Sequence, residues 1–210
     1  MTVNTPGNRY GAEFIPRQPF EIQNLFYKFD FPIDKDYILK YREEHISEYD
    51  LYDLISGRSV YGLKVNNVDY FKELERKFVD RFNLKEYDIN FSKGLMHYPL
   101  NGGISPHLDR PYSRSTCVIM FPIQVSTPVM FHEYIGDEED MDIVHRNDLW
   151  VDNIGMELSV PNDRPLVMNS DFLHSAKSDD TYRILMKWNV TNISYYDLVK
   201  IMKGENANAI

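Results

Sequence analysis

From Ile89 onward the chain is a succession of short β-type runs separated by turn residues, at 89–98, 115–123, 128–133, 141–145, 156–160, 165–168 and 181–190. Ahead of them the pattern is helical. Asp34 is placed to cap a helix running to about residue 47, with Tyr37, Ile38, Tyr41 and His45 on one stripe and His45 at its boundary. A second helix over 68–82 carries Phe71, Leu74, Phe78 and Phe82 on one face. Residues 20–31 alternate enough aromatics for an early strand pair, 1–17 read as an extended arm, and 194–203 as a closing helix before a polar tail. Helices first, then many closely spaced strands, predict a mainly β fold with flanking helices: a double-stranded β-helix (jelly-roll) barrel with helices on its outer face.

That pattern fits one domain over 1–210, divided into an arm and supporting helices (1–88), the jelly-roll core (89–192) and a C-terminal helix and tail (193–210). The change near residue 88 is one of layer rather than of domain. A hydrophobic content of 43% with a mean hydropathy of −0.45 indicates neither a disordered chain nor a membrane protein. No apolar run has the length needed to span a bilayer, and Met1-Thr2-Val3-Asn4-Thr5-Pro6 has no signal-peptide character. The single cysteine, Cys117, cannot form an internal disulfide and is expected in strand packing. A cytoplasmic, reducing location is the expectation.

Chemistry enters at His107-Leu108-Asp109. On an extended strand residues i and i+2 share a face, so imidazole and carboxylate converge. With 6 His and 19 Asp in 210 residues, a chance His-x-Asp is expected roughly 0.5 times, so the pair alone carries little. A second imidazole, His174, follows in Asn169-Ser170-Asp171-Phe172-Leu173-His174-Ser175, and nine residues beyond it Arg183 stands in the apolar run Tyr182-Arg183-Ile184-Leu185-Met186-Lys187-Trp188. Two histidines and a carboxylate that leave the other coordination positions open make the facial triad of non-haem Fe(II) sites. An arginine in an apolar strand needs an anionic partner, and a carboxylate suits its planar fork.

The segment Met96-His97-Tyr98-Pro99-Leu100-Asn101-Gly102-Gly103-Ile104-Ser105-Pro106-His107-Leu108-Asp109 resembles the first metal-ligand segment of the 2-oxoglutarate/Fe(II)-dependent dioxygenases, in the prolyl-hydroxylase-like branch. The stretch from Arg164 through His174 to Arg183 and Trp188 resembles the distal segment of that family. The resemblance covers about residues 90–192. It implies Fe(II) held by His107, Asp109 and His174, with 2-oxoglutarate and O2 as cosubstrates. It also implies Arg183 on the distal carboxylate of 2-oxoglutarate, with the Tyr98 hydroxyl on that same carboxylate. The chain departs from the family at Leu185, where many members carry a small or hydroxylated residue. Lys187 shares a strand face with Arg183; it is read as snorkelling to the barrel rim, while some branches anchor 2-oxoglutarate through a lysine.

The implied activity is hydroxylation of a C–H bond with release of succinate and CO2, on a peptidyl (prolyl-like) residue or a small molecule. The alternative is a catalytically silent jelly-roll module that keeps the metal or ligand site without turnover. Asp109 argues for hydroxylation, because related halogenases replace that carboxylate. A net charge of −9 with scattered cations argues against nucleic acid as partner. His132 and His145 lack a carboxylate at strand spacing in a comparable context. Gly136-Asp137-Glu138-Glu139-Asp140 lacks a calcium-loop ligand ladder and reads as a solvated hairpin turn. No nucleophile elbow surrounds Ser170 or Ser175.

Overall fold

The computed structural model describes residues 19–53, 59–107, 117–125, 127–135, 154–179 and 181–205, and of residues 50–53, 59, 105 and 107 the backbone only. Their chain order is α1 (Ile22–Leu25), β1 (Phe26–Lys28), α2 (Lys35–Glu44), β2 (Asp50–Asp53), β3 (Ser59–Lys64), α3 (Asp69–Arg81), β4 (Asn90–Tyr98), β5 (Gly103–His107), β6 (Cys117–Gln124), β7 (Val129–Tyr134), β8 (Ile154–Val160), β9 (Leu166–Asn169), β10 (Leu173–Lys177), β11 (Arg183–Thr191) and α4 (Tyr195–Met202). These strands form two antiparallel sheets. The larger runs β1-β9-β6-β11-β4-β3-β2 and the smaller β5-β10-β7-β8. The fold is the mainly β, double-stranded β-helix architecture with helices outside. The expected strand at 141–145 lies outside the described residues, as do 1–17.

Strand alternation sorts the large sheet into two faces, each covered by its own core. On β11, Ile184, Met186, Trp188 and Val190 point to the helices; they pack with Phe71, Leu74 and Phe78 of α3 and with Phe29, Phe31 and Phe121. The rings meet edge-on, with Phe78 and Trp188 centroids 5.4 Å apart. On the other face Leu185 joins Val118, Met120, Leu166 and Met168 against Phe131 and Val129 of the small sheet. The functional cavity lies in this second, inter-sheet core.

The helices form where local chemistry starts them. The Asp34 carboxylate accepts the Tyr37 amide at 2.9 Å and opens α2, which ends at His45, whose ring stacks on Tyr41. The Ser194 hydroxyl does the same for α4 through the Asp197 amide at 3.1 Å. Residues 20–31 do not form the expected strand pair. One turn of helix, α1, precedes a three-residue β1, because only Phe26–Lys28 find partners, on β9. Residues ahead of 88 also contribute β2 and β3 to the large sheet itself, rather than only supporting helices.

One junction sets the position of β5. Asn101, with φ of 54°, and Gly102 turn the chain back after β4. The Gly102 amide donates to Pro99 O at 3.0 Å, and the Ser178 amide donates to Gly102 O at 2.9 Å. Gly103 then lies so close to β10 that a Cβ there would meet Ala176 O at 2.4 Å. Backbone contact at this end fixes the pairing of Gly103 with Lys177 and Ile104 with Ala176, and a register shift separates it from the pair His107–His174.

Candidate active site

Arg183 opens β11 and is fully buried. Its Nη1 donates to Thr127 O at 2.9 Å, Thr127 Oγ1 at 3.0 Å and Pro128 O at 3.2 Å. Its Nε and Nη2 are also buried, and neither has a hydrogen-bond partner. Among the described residues no carboxylate pairs with this guanidinium, and burial holds its pKa below the ordinary arginine range. An uncompensated buried cation is expensive, so two orphaned donors on one fork mark a place for an anion.

Tyr98 is the register partner of Arg183 across β4 and β11, and the guanidinium carbon stands 5.5 Å from the centroid of its ring. Both side chains line a cavity between the sheets, together with Met120, His174, Leu185 and Lys187. The cavity holds about 350 Å³ of atom-free space, its open mouth included. Lys187, read from the sequence as a rim residue, is half-buried in this lining.

His174 enters from the opposite sheet. Its Nδ1 lies 3.0 Å from the Phe172 carbonyl, to which it donates. A backbone carbonyl holding one ring nitrogen is the usual support of a metal-ligating histidine. His107 is the Cα partner of His174 on β5. Asp109, the third expected ligand, lies outside the described residues. Among the described residues, which include neither Asp109 nor the His107 side chain, no group of three or more His, Cys, Asp or Glu side chains could hold a metal ion.

The cavity has two unlike ends. Phe26 stacks on Phe131 at 5.9 Å, and the Phe131 ring is 6.4 Å from that of His174. Phe26 pairs with Met168, Met168 with Val118 and Val118 with Asn189, so this row crosses the large sheet at Asn189. His174 therefore sits at the Lys187–Asn189 end. Arg183 sits at the other, beside Thr127 and Pro128, which lead into Val129 opposite Ala176.

His132 and His97 have structural roles. Nε2 of His132 lies 2.8 Å from Ser175 Oγ and its Nδ1 2.7 Å from Glu157, tying β7, β10 and β8 together. His97 faces the helices, where Arg42 Nη2 donates to its Nδ1 at 3.1 Å. Burial and that guanidinium lower its pKa to about 4. His145 and the acidic run 136–140 lie outside the described residues. Sequence reasoning missed Thr127, whose carbonyl and hydroxyl orient Arg183; a loop acceptor so distant in the chain leaves no pattern.

No protein-family model matches the chain, and no curated protein matches it by sequence. Solved structures do match. A prolyl hydroxylase from Trichoplax adhaerens, in complex with a hypoxia inducible factor oxygen degradation domain peptide fragment, superposes with a TM-score of 0.56 at 12% identity, covering 88% of each chain. The chain has the fold of the 2-oxoglutarate–Fe(II) oxygenases. A Pseudomonas putida prolyl-4-hydroxylase matches with a TM-score of 0.50 at 13% identity over 79% of this chain and 91% of that one. HygX from Streptomyces hygroscopicus, with nickel and 2-oxoglutarate bound, matches with 0.50 at 11% over 82% and 85%.

Proposed function

We propose that the protein is an Fe(II)- and 2-oxoglutarate-dependent oxygenase that hydroxylates a C–H bond. In that reaction a substrate C–H, O2 and 2-oxoglutarate become C–OH, succinate and CO2. The observation that carries the reading is Arg183: buried, anchored through Nη1 alone, and presenting two unpartnered N–H donors in the cavity that also contains His174. A 2-oxo dicarboxylate meets both needs of such a cavity, with one end for a guanidinium and the other for a metal.

In this reading His107, Asp109 and His174 hold Fe(II), which when bound supplies the activation of O2 and of the 2-oxo acid. Arg183 takes the distal carboxylate through Nε and Nη2, with Nη1 kept in place by Thr127 and Pro128. Tyr98 packs beneath that guanidinium and adds its hydroxyl to the same carboxylate. The apolar wall of Met120 and Leu185 keeps bulk water from the cosubstrate. Three of the matched structures are named as prolyl hydroxylases, which supports a peptidyl or proline-like substrate.

The test is succinate release by the purified protein supplied with Fe(II), 2-oxoglutarate and O2, with the metal omitted as control. Iron-dependent turnover that rises on addition of a substrate supports the reading. Stoichiometric binding of metal and 2-oxoglutarate without any succinate would instead make the protein a silent binding module.

A further inference from the structure

The helix-facing side of the large sheet holds a second guanidinium without a counter-charge. Tyr182 and His97 meet there, their ring centroids 4.9 Å apart, while their chain neighbours Arg183 and Tyr98 face the cavity. Arg42, in the last turn of α2, reaches this cluster and is half-buried. Its Nη2 donates to His97 Nδ1 at 3.1 Å, and its guanidinium carbon stands 5.9 Å from the centroid of the Tyr182 ring. Its Nε is buried with no hydrogen-bond partner, and among the described residues no carboxylate pairs with it.

The surroundings add a donor rather than the missing acceptor. The Tyr49 hydroxyl is buried and also lacks a hydrogen-bond partner. Burial pushes this phenol well above the ordinary tyrosine range, so its proton stays on. His97, with its pKa lowered to about 4 by burial and by Arg42, is neutral at neutral pH. The cluster therefore carries one positive charge and two buried donors that lack acceptors. The rings of Tyr49 and Tyr61 complete a frame around His97, with centroids 6.5 and 5.9 Å away. Tyr182 is 43% exposed, so the cluster meets solvent along that ring.

We propose that Arg42 and Tyr49 form a second anion site, which takes the carboxylate of a small acid whose flat apolar body lies against Tyr182. A buried donor without an acceptor costs stability, and one oxyanion supplies acceptors to both groups. Charge selects the kind of anion. A carboxylate matches the single guanidinium, whereas a phosphate ester, close to doubly charged at neutral pH, would leave an excess in a chain whose net charge is already −9. The site lies across the sheet from Arg183 and stands whether or not the oxygenase reading holds.

The experiment is titration calorimetry of the full chain at neutral pH and low salt, with benzoate, acetate, benzamide and phenyl phosphate as probes. It is run on Arg183→Met, so that the guanidinium in the cavity contributes nothing. Benzoate should bind at one site per chain. Benzamide, which lacks the charge, and acetate, which lacks the ring, should each bind at least about tenfold more weakly. Added to this background, Arg42→Met should abolish benzoate binding. Arg42→Lys, which keeps the charge but loses the Nε donor, should weaken it about tenfold, and Tyr49→Phe about threefold or more. A melting curve of each variant separates lost binding from lost folding, and Arg42→Lys decides if Arg42→Met does not fold. No benzoate binding in Arg183→Met, or binding that ignores both Arg42→Lys and Tyr49→Phe, would overturn the site. Tighter binding of phenyl phosphate than of benzoate would overturn its assignment to a carboxylate.

Discussion

His107 and His174 are directly opposed across the β5–β10 ladder, although most of the barrel core lies between them in sequence. If this pairing is the heart of a metal centre, removing either imidazole should cost the metal. His107→Ala and His174→Ala are each expected to lose most of their Fe(II) or Mn(II), by metal analysis of the purified protein. Asp109→Ala should weaken binding as well, whereas alanines in 136–140 should leave the metal content at one per chain. Full metal retention in both histidine variants would place the site elsewhere.

Arg183 gives a prediction about affinity. Truncating one member of a desolvated charge pair costs on the order of 2–5 kcal/mol, which at the low end is roughly 30-fold in an equilibrium constant. Arg183→Ala should therefore raise the apparent KM for 2-oxoglutarate about 30-fold or more while metal content stays unchanged. Tyr98→Phe keeps the ring under the guanidinium and should cost less. The ligand-free Arg183→Met protein should melt no lower than wild type, because the substitution removes an unpaired buried charge.

Thr127 tests whether the guanidinium needs its anchor. Thr127→Val removes the hydroxyl acceptor 3.0 Å from Nη1 and leaves the two carbonyls. The expected result is a rise of about 3- to 10-fold in the KM for 2-oxoglutarate, with kcat moving less. An unchanged KM would show that the carbonyls of Thr127 and Pro128 suffice.

Gly103→Ala reaches the metal without touching a ligand. The added methyl would fall 2.4 Å from Ala176 O, so β5 must move away from β10. Metal affinity should drop about tenfold or more while the far-UV circular dichroism stays that of a folded β protein. Undiminished affinity would mean that the β5–β10 register does not set the ligand geometry.

His97 carries a pH dependence whose sign is fixed. Its pKa falls from 6.5 to about 4 on folding, so between these values the unfolded chain holds a proton that the folded chain does not. The stability linked to this residue is intact above pH 6.5, is lost as pH falls through the window, and is gone below about pH 4. His97→Gln should show a flatter fall in urea stability between pH 7 and pH 4.5 than wild type, and identical slopes would refute the assignment.

How much of this was legible depended on what each residue does. The strands at 89–98, 115–123 and 181–190 show themselves because both faces of the large sheet are covered by apolar cores. The helix starting at Asp34 shows itself through its cap. By contrast β5, Gly103-Ile104-Ser105-Pro106-His107, and β10, Leu173-His174-Ser175-Ala176-Lys177, are too polar to read as strands by pattern. His174 faces the cavity and Ser175 bonds His132, so function displaces the apolar alternation there. His174 and Arg183 were visible as residue types at a spacing. The two unpartnered nitrogens of Arg183, the loop that anchors the third, and the inward set of Lys187 depend on pairings between distant segments.

The site is divided between the two sheets: Arg183, Tyr98 and Lys187 belong to the larger, His174 and the backbone of His107 to the smaller. A ligand reaching from Arg183 to His174 is thus a strut across the barrel, and its length has to equal the gap that Val118, Met120, Leu166 and Phe131 keep open. Repacking any of these would retune recognition from a distance, as changing a spacer alters the fit of a clamp whose jaws are untouched.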